Sequence, residues 1–152
     1  MRLPMLRVVV EGTRTVRGEF DLEVAYSEEE CCRGLMFRQS IGEGEGLLMR
    51  NPGHGEMSIW MRDTSLPLDA VFIGPDWRIR TVVEDMRPFS ECAHVSNGDA
   101  VAAIEFVAGT IRRAGIEIGD AVFKVEVPPM EKDVTGEPSA GGQRHPCEVA
   151  EH

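Results

Sequence analysis

Ile59-Trp60-Met61-Arg62-Asp63-Thr64-Ser65-Leu66-Pro67-Leu68-Asp69 lies near the middle of the chain, and the architecture can be worked out from it. Apolar residues lead into it and out of it, while Thr64, Pro67 and the ionisable Arg62, Asp63 and Asp69 crowd the corner between. That pattern predicts a strand, a tight bend and the entry to a second strand. The chain leaves as Ala70-Val71-Phe72-Ile73 and turns back at Gly74-Pro75-Asp76-Trp77, where Gly and Pro favour a turn.

Upstream, Val16, Gly18, Phe20, Leu22 and Val24 alternate with Arg17, Glu19, Asp21 and Glu23. A period of two with one wet face predicts a half-buried strand of antiparallel type. Glu11-Gly12-Thr13 predicts a hairpin from it back to Leu6–Val10. Ser27-Glu28-Glu29-Glu30 reads as a capping box opening a short helix, with acids at the positive end of its dipole. Gly34 is placed to end that helix in the left-handed conformation, delivering Leu35-Met36-Phe37 inward and Arg38 to the rim. Residues 39–58 are loop-rich, with Leu47-Leu48-Met49 a short strand. The glycines of Ile41–Gly46 mark flexibility or left-handed turns rather than a phosphate loop, since no lysine follows and Glu43 and Glu45 would repel phosphate.

Downstream, Arg78–Glu84 is the next strand, with Ile79 and Val83 expected on one side of the sheet. Met86–Asp99, containing the turn signal Asn97-Gly98, reads as an irregular connection, and Ala100–Val107 as a central apolar strand. A short helix bounded by Gly109 and Gly115 follows, then a turn at Gly119-Asp120. In the last strand Phe123, Val125 and Val127 alternate with Lys124 and Glu126, and Pro128-Pro129 stops it. The expected fold class is mainly β (β-rich α+β), a compact barrel or sandwich of about eight short strands with two short helices inserted. Too few long helices are present for the crossovers of a parallel Rossmann-like sheet.

At 152 residues the chain has the size of one domain, able to bury roughly 68–70% of its unfolded surface. The expected division is one β-rich domain over 1–130 and a disordered acidic tail over 131–152, where Gly, Pro, Ser and charges dominate. The net charge is −10, and removing the tail still leaves 14 bases against 21 acids. Such a surface repels phosphate backbones and anionic lipids, so neither nucleic acid nor membrane is expected as a partner. No run reaches the roughly 20 apolar residues of a membrane span. Met1–Val10 has the outline of a signal peptide, but Arg7 interrupts it and no small-residue cleavage site follows, so a cytoplasmic location is expected. Cys31, Cys32, Cys92 and Cys147 form no C-x-x-C pair. A bond between neighbours 31 and 32 would be strained, so free thiols in a reducing compartment are expected.

Set together, Arg33-Gly34-Leu35-Met36-Phe37-Arg38, Trp60-Met61-Arg62-Asp63-Thr64, Pro67-Leu68-Asp69, Phe72-Ile73, Ala108-Gly109-Thr110 and Gly115-Ile116 with Gly119-Asp120 resemble the small bacterial and archaeal family called domain of unknown function 192. The resemblance runs from about Phe20 to Val127 and implies a mainly β, sandwich-like domain with no established activity. Two positions depart from it. Asp63 stands where the family usually has Asn, and Asp76-Trp77 where it commonly has Asp-Gly.

Arg33, Arg38, Trp60, Thr64 and Asp69 are the polar or amphipathic members of these motifs. As a ligand site, the two guanidiniums would hold a carboxylate or similar anion while Trp60 stacks on it. The structural alternative has Asp69 fixing Arg33 or the backbone of the Thr64–Pro67 bend. Cys92-Ala93-His94 puts a thiol and an imidazole on one strand face, but two ligands do not make a metal site. Glu84 and Asp85 would point to opposite faces of a strand, and Met36, Met49, Met57 and Met61 suit core gap-filling. The expectation is a small-molecule or peptide binding module near the Trp60–Asp69 corner, without metal or cofactor. The alternative is a hydrolase using Asp69 or Asp63 as general base.

Overall fold

The computed structural model describes residues 3–125; the expected tail over 131–152 lies outside them. In chain order the elements are β1 (Met5–Glu11), β2 (Val16–Ala25), α1 (Glu28–Arg33), β3 (Glu45–Arg50), β4 (Glu56–Ile59), β5 (Leu68–Ile73), β6 (Ile79–Met86), β7 (His94–Asp99), β8 (Ala102–Val107), α2 (Thr110–Ala114) and β9 (Ala121–Lys124). The fold is mainly β, a sheet curled into a half-barrel.

Seven strands form the main sheet in the order β6-β5-β8-β3-β2-β1-β9, and β4 and β7 form a separate ribbon. The sheet edges come back towards each other: Arg78 bridges Ala121, and Ile79 donates to the Asp120 carbonyl at 2.8 Å. Inside the curl, Val8, Phe20, Leu22, Leu48, Val71, Ile73, Ile104, Phe106 and Val122 pack with Ile111 and Ile116 from the α2 region. Phe20 and Phe106 meet at 4.7 Å between ring centroids, tilted by 53°, a favourable aromatic geometry.

The central strands are buried on both faces, which is why they read as nearly continuous apolar runs. On the second face Leu47, Met49, Leu68, Ala70, Phe72 and Ala103 lie beneath Leu35, Ile59, Met61 and Met86. Covering that face is the work of one connection in particular. β2 and β3 pair in parallel, with Val24 opposite Leu48, and a parallel pair needs a long crossover. Here the crossover carries α1 and the Gly34–Arg38 loop over the second face.

The helix starts as its sequence requires. Ser27 Oγ accepts from Glu30 N at 3.0 Å, and Glu30 Oε1 accepts from Ser27 N at 3.1 Å, completing the capping box. Gly34 ends it, with its N–H on the Glu30 carbonyl, but at φ 49 and ψ −128 rather than in the left-handed well. Glycine enters that mirror-image region without a Cβ clash, and the turn it makes drops Leu35 into the second core. Gly46 answers a different need than flexibility: a Cβ there would run into the carbonyl oxygen of Glu105, so glycine lets β3 and β8 close up.

Three expectations are corrected. The irregular stretch ends in a strand, β7, whose Asn97 (φ 62) and Gly98 (φ 134) lie in a bulge where the β4–β7 register shifts rather than in a hairpin turn. Ser96 Oγ accepts from Met57 N at 2.9 Å and Thr81 Oγ1 donates to the Ser96 carbonyl at 2.5 Å, which fixes the ribbon onto the sheet. Ile79 and Val83 face different cores, because the β5–β6 register shifts between Phe72 and Ile73 and an extra residue flips the side-chain phase. In β9 the buried residue is Val122, and Phe123 is 51% exposed, the opposite phase to that expected.

Candidate functional site

The corner that organises the sequence is a turn stitched on both flanks. Thr64 N–H donates to the Met61 carbonyl at 3.1 Å and Thr64 Oγ1 to the Arg62 carbonyl at 3.0 Å. Phe37 N–H reaches the Asp63 carbonyl at 2.8 Å, and Phe89 N–H the Thr64 carbonyl at 3.0 Å. Asp63 takes φ 55, a left-handed conformation that Asp and Asn tolerate better than most residues, so the Asn-to-Asp departure keeps the bend. Trp77 takes φ 60 where glycine is common, at some strain.

Asp69 is fully buried in β5 and spends its carboxylate on backbone. Oδ1 accepts from Asp85 N at 2.8 Å, and Oδ2 accepts from Gly109 N at 3.1 Å and Ile111 N at 2.9 Å. Two segments of the resemblance, Pro67–Asp69 and Ala108–Thr110, are thereby joined at the start of α2. The partners are neither Arg33 nor the Thr64–Pro67 bend. Arg38 pairs instead with Glu23, Nη2 to Oε1 at 2.6 Å, at the domain surface.

A cavity of about 710 Å³ opens between α1, the end of β3, β4 and the turn after it. Arg33, Trp60 and Thr64 line it; Arg38, Asp63 and Asp69 do not. The structure therefore brings three of the five candidates together and places Arg38 and Asp69 elsewhere. Gly34, Leu35 and Met36 form the wall under α1, while Met57, Ile59 and Trp60 form the wall along β4. The sheet supplies the floor, with Met49 from β3 and Glu105 from β8.

Glu105 is the residue that the sequence reading passed over. Its neighbours across the sheet are Leu47 and Ala70, and it is 4% exposed. Among the described residues Glu105 Oε1 has no hydrogen-bond partner. Burial pushes the carboxyl up to about 7, because a charge in an apolar surround is poorly solvated. A Cβ at Gly34 would sit 3.6 Å from Glu105 Oε1, so the glycine turn lies directly against this carboxyl. One signal could have found it: a lone carboxylate within Ala100-Val101-Ala102-Ala103-Ile104-Glu105-Phe106-Val107.

Cys31 also lines the cavity. Its Sγ donates to the carbonyls of Ala25 and Arg50, each at 3.5 Å. Burial pushes the thiol up to about 11, the hydrogen bond to Arg50 opposes this, and Glu30, Glu105 and Glu28 add to it. A thiol so held stays protonated and is a poor nucleophile. Cys31 and Cys92 are free thiols, but Cys32 is disulfide-bonded, which corrects the expectation of a free thiol there. Among the described residues no group of His, Cys, Asp and Glu could hold a metal ion, and no helix is long and apolar enough to cross a membrane.

These features describe a curled β-sheet domain with a cavity beside the crossover helix and Glu105 in its lining. The chain belongs to the DUF192 family, described as an uncharacterized ACR, whose model matches residues 9–123. It is similar to a protein of unknown function from Novosphingobium aromaticivorans DSM 12444 at 33% identity and TM-score 0.76, covering 79% of this chain and 85% of that one. It is also similar to a Sinorhizobium meliloti 1021 protein described as a candidate transcription regulator, at 29% identity and TM-score 0.78, covering 82% of this chain and 96% of that one. No functionally curated protein matches the chain.

Proposed function

We propose that this chain is a small-molecule-binding domain whose site is the cavity under α1. The observation that carries the reading is Glu105, a buried carboxyl with an oxygen unpartnered among the described residues, lining the cavity. Buried polar atoms without partners are costly, and a ligand donor would remove that cost. The cavity volume falls in the range usual for small-molecule sites, and its lining sets apolar side chains such as Leu35, Met49, Met57 and Ile59 beside polar and charged ones. The net charge of −10 supports a partner other than nucleic acid.

One observation favours a second reading. A carboxyl that burial raises to about 7 beside a cavity suits proton transfer, so Glu105, rather than Asp69 or Asp63, is the group a hydrolase or isomerase would use. Binding remains the primary reading because the adjacent thiol is held protonated and supplies no nucleophile. Amide chemical-shift mapping against a library of small apolar amines, alcohols and acids tests it. Shifts should cluster on Gly34, Met49, Met57 and Trp60; a binder whose shifts cluster elsewhere, or a library without binders, would remove the cavity as the site.

A further inference from the structure

We propose that the cavity takes an organic cation, a small apolar body ending in an ammonium group whose N–H bonds point at the Glu105 carboxyl. This rests on the cavity being the binding site and goes on to name the class of ligand.

The charges around the cavity decide the sign. Among the described residues no Lys, Arg or His makes an ion pair with Glu105. The two arginines of the lining are directed at rings: Arg33 lies over Phe37 at 5.7 Å and Arg50 over Tyr26 at 6.0 Å. Glu28 and Glu56 also line the cavity, so acids outnumber bases there as they do over the whole chain. An anion entering would face an uncompensated carboxyl at the floor, and a neutral donor would satisfy one oxygen while leaving any buried charge unpaired. A cation does both, and the field of the protein draws it in. Leu35, Met36, Met49, Met57 and Ile59 offer an apolar, polarisable wall for the body of the molecule.

Benzylamine, benzyl alcohol and benzoate share one ring and differ in charge, so they separate the possibilities in titrations of the full-length protein by calorimetry and amide shifts. Benzylamine should bind most tightly of the three, with shifts at Gly34, Met49 and Met57. Its affinity should rise roughly tenfold per pH unit between pH 5 and pH 6, with proton release, because Glu105 must ionise to pair with it. The titratable and charged groups that share the cavity lining with Glu105 are Tyr26 after β2, Glu28, Cys31 and Arg33 of α1, Arg50 of β3 and Glu56 of β4. Glu28→Gln and Glu56→Gln should therefore keep the pH dependence and Glu105→Gln should lose it. Glu105→Asp, which retains the carboxylate, should keep preferring the amine if the Gln variant fails to fold. Benzyl alcohol or benzoate binding as tightly as benzylamine, with the same shifts, would overturn the cation and leave the cavity standing. None of the three binding would overturn both.

Discussion

Glu105 and Asp69 are two carboxylates on adjacent strands with opposite environments. Asp69 has every demand met by backbone amides, so removing it should be costly without touching the cavity. Asp69→Ala would leave the amides of Asp85, Gly109 and Ile111 unsatisfied, and a loss of roughly 3–5 kcal/mol in urea unfolding is expected. A loss below about 1 kcal/mol would show those bonds to be dispensable. Glu105 has the reverse character. Its folded value of about 7 lies above the unfolded 4.5, so the folded state holds the proton more tightly. Its contribution to stability is greatest below the unfolded value, falls as pH rises from about 4.5 to about 7, and is flat above. Denaturation at a series of pH values should show that fall, up to roughly 3 kcal/mol from this group. Glu105→Gln should flatten the slope, and an unchanged slope in the variant would assign it to other groups. Of these two residues the sequence points to Asp69 through its motif; Glu105 is visible there as a polar letter in an apolar run, with nothing to say that it faces a cavity.

At the scale of elements, the wall of the cavity depends on a helix six residues long. Helices that short are marginal without caps, so the Ser27–Glu30 box matters more than in a longer helix. Ser27→Ala should cost about 1 kcal/mol and loosen α1 over the cavity, read as faster amide exchange at Cys31–Gly34. Unchanged exchange would mean that packing of Leu35 alone holds the wall. This box was legible because its chemistry is local: donor, acceptor and spacing all lie within Ser27–Glu30. So were the β1–β2 hairpin and the glycine-bounded α2. What was not legible was set at long range. β7 is polar and carries a turn signal, and it becomes a strand because Glu56–Ile59 pairs with it. The phase of Val83 depends on a bulge in the β5–β6 pairing, and that of β9 on its pairing with β1, which no alternation in the strand itself specifies.

For the molecule as a whole, mainly β architecture followed from alternation and turns, because these register the sheet everywhere at once. The cavity did not follow. Its lining comes from residues 26–36, 49–60, 64 and 105, brought together by the parallel β2–β3 crossover, and no single segment carries the pattern. Of the Trp60–Asp69 corner, Trp60 and Thr64 line the cavity, whereas Asp69 turns its carboxylate to backbone amides and the carboxyl in the lining is Glu105 of β8. Titrating the Glu105 side-chain carbon by NMR in selectively 13C-labelled protein measures the floor of the cavity directly. A midpoint near 7 is expected, moving down when benzylamine is added. A midpoint near the ordinary 4.5 would contradict a buried, unpartnered carboxyl there.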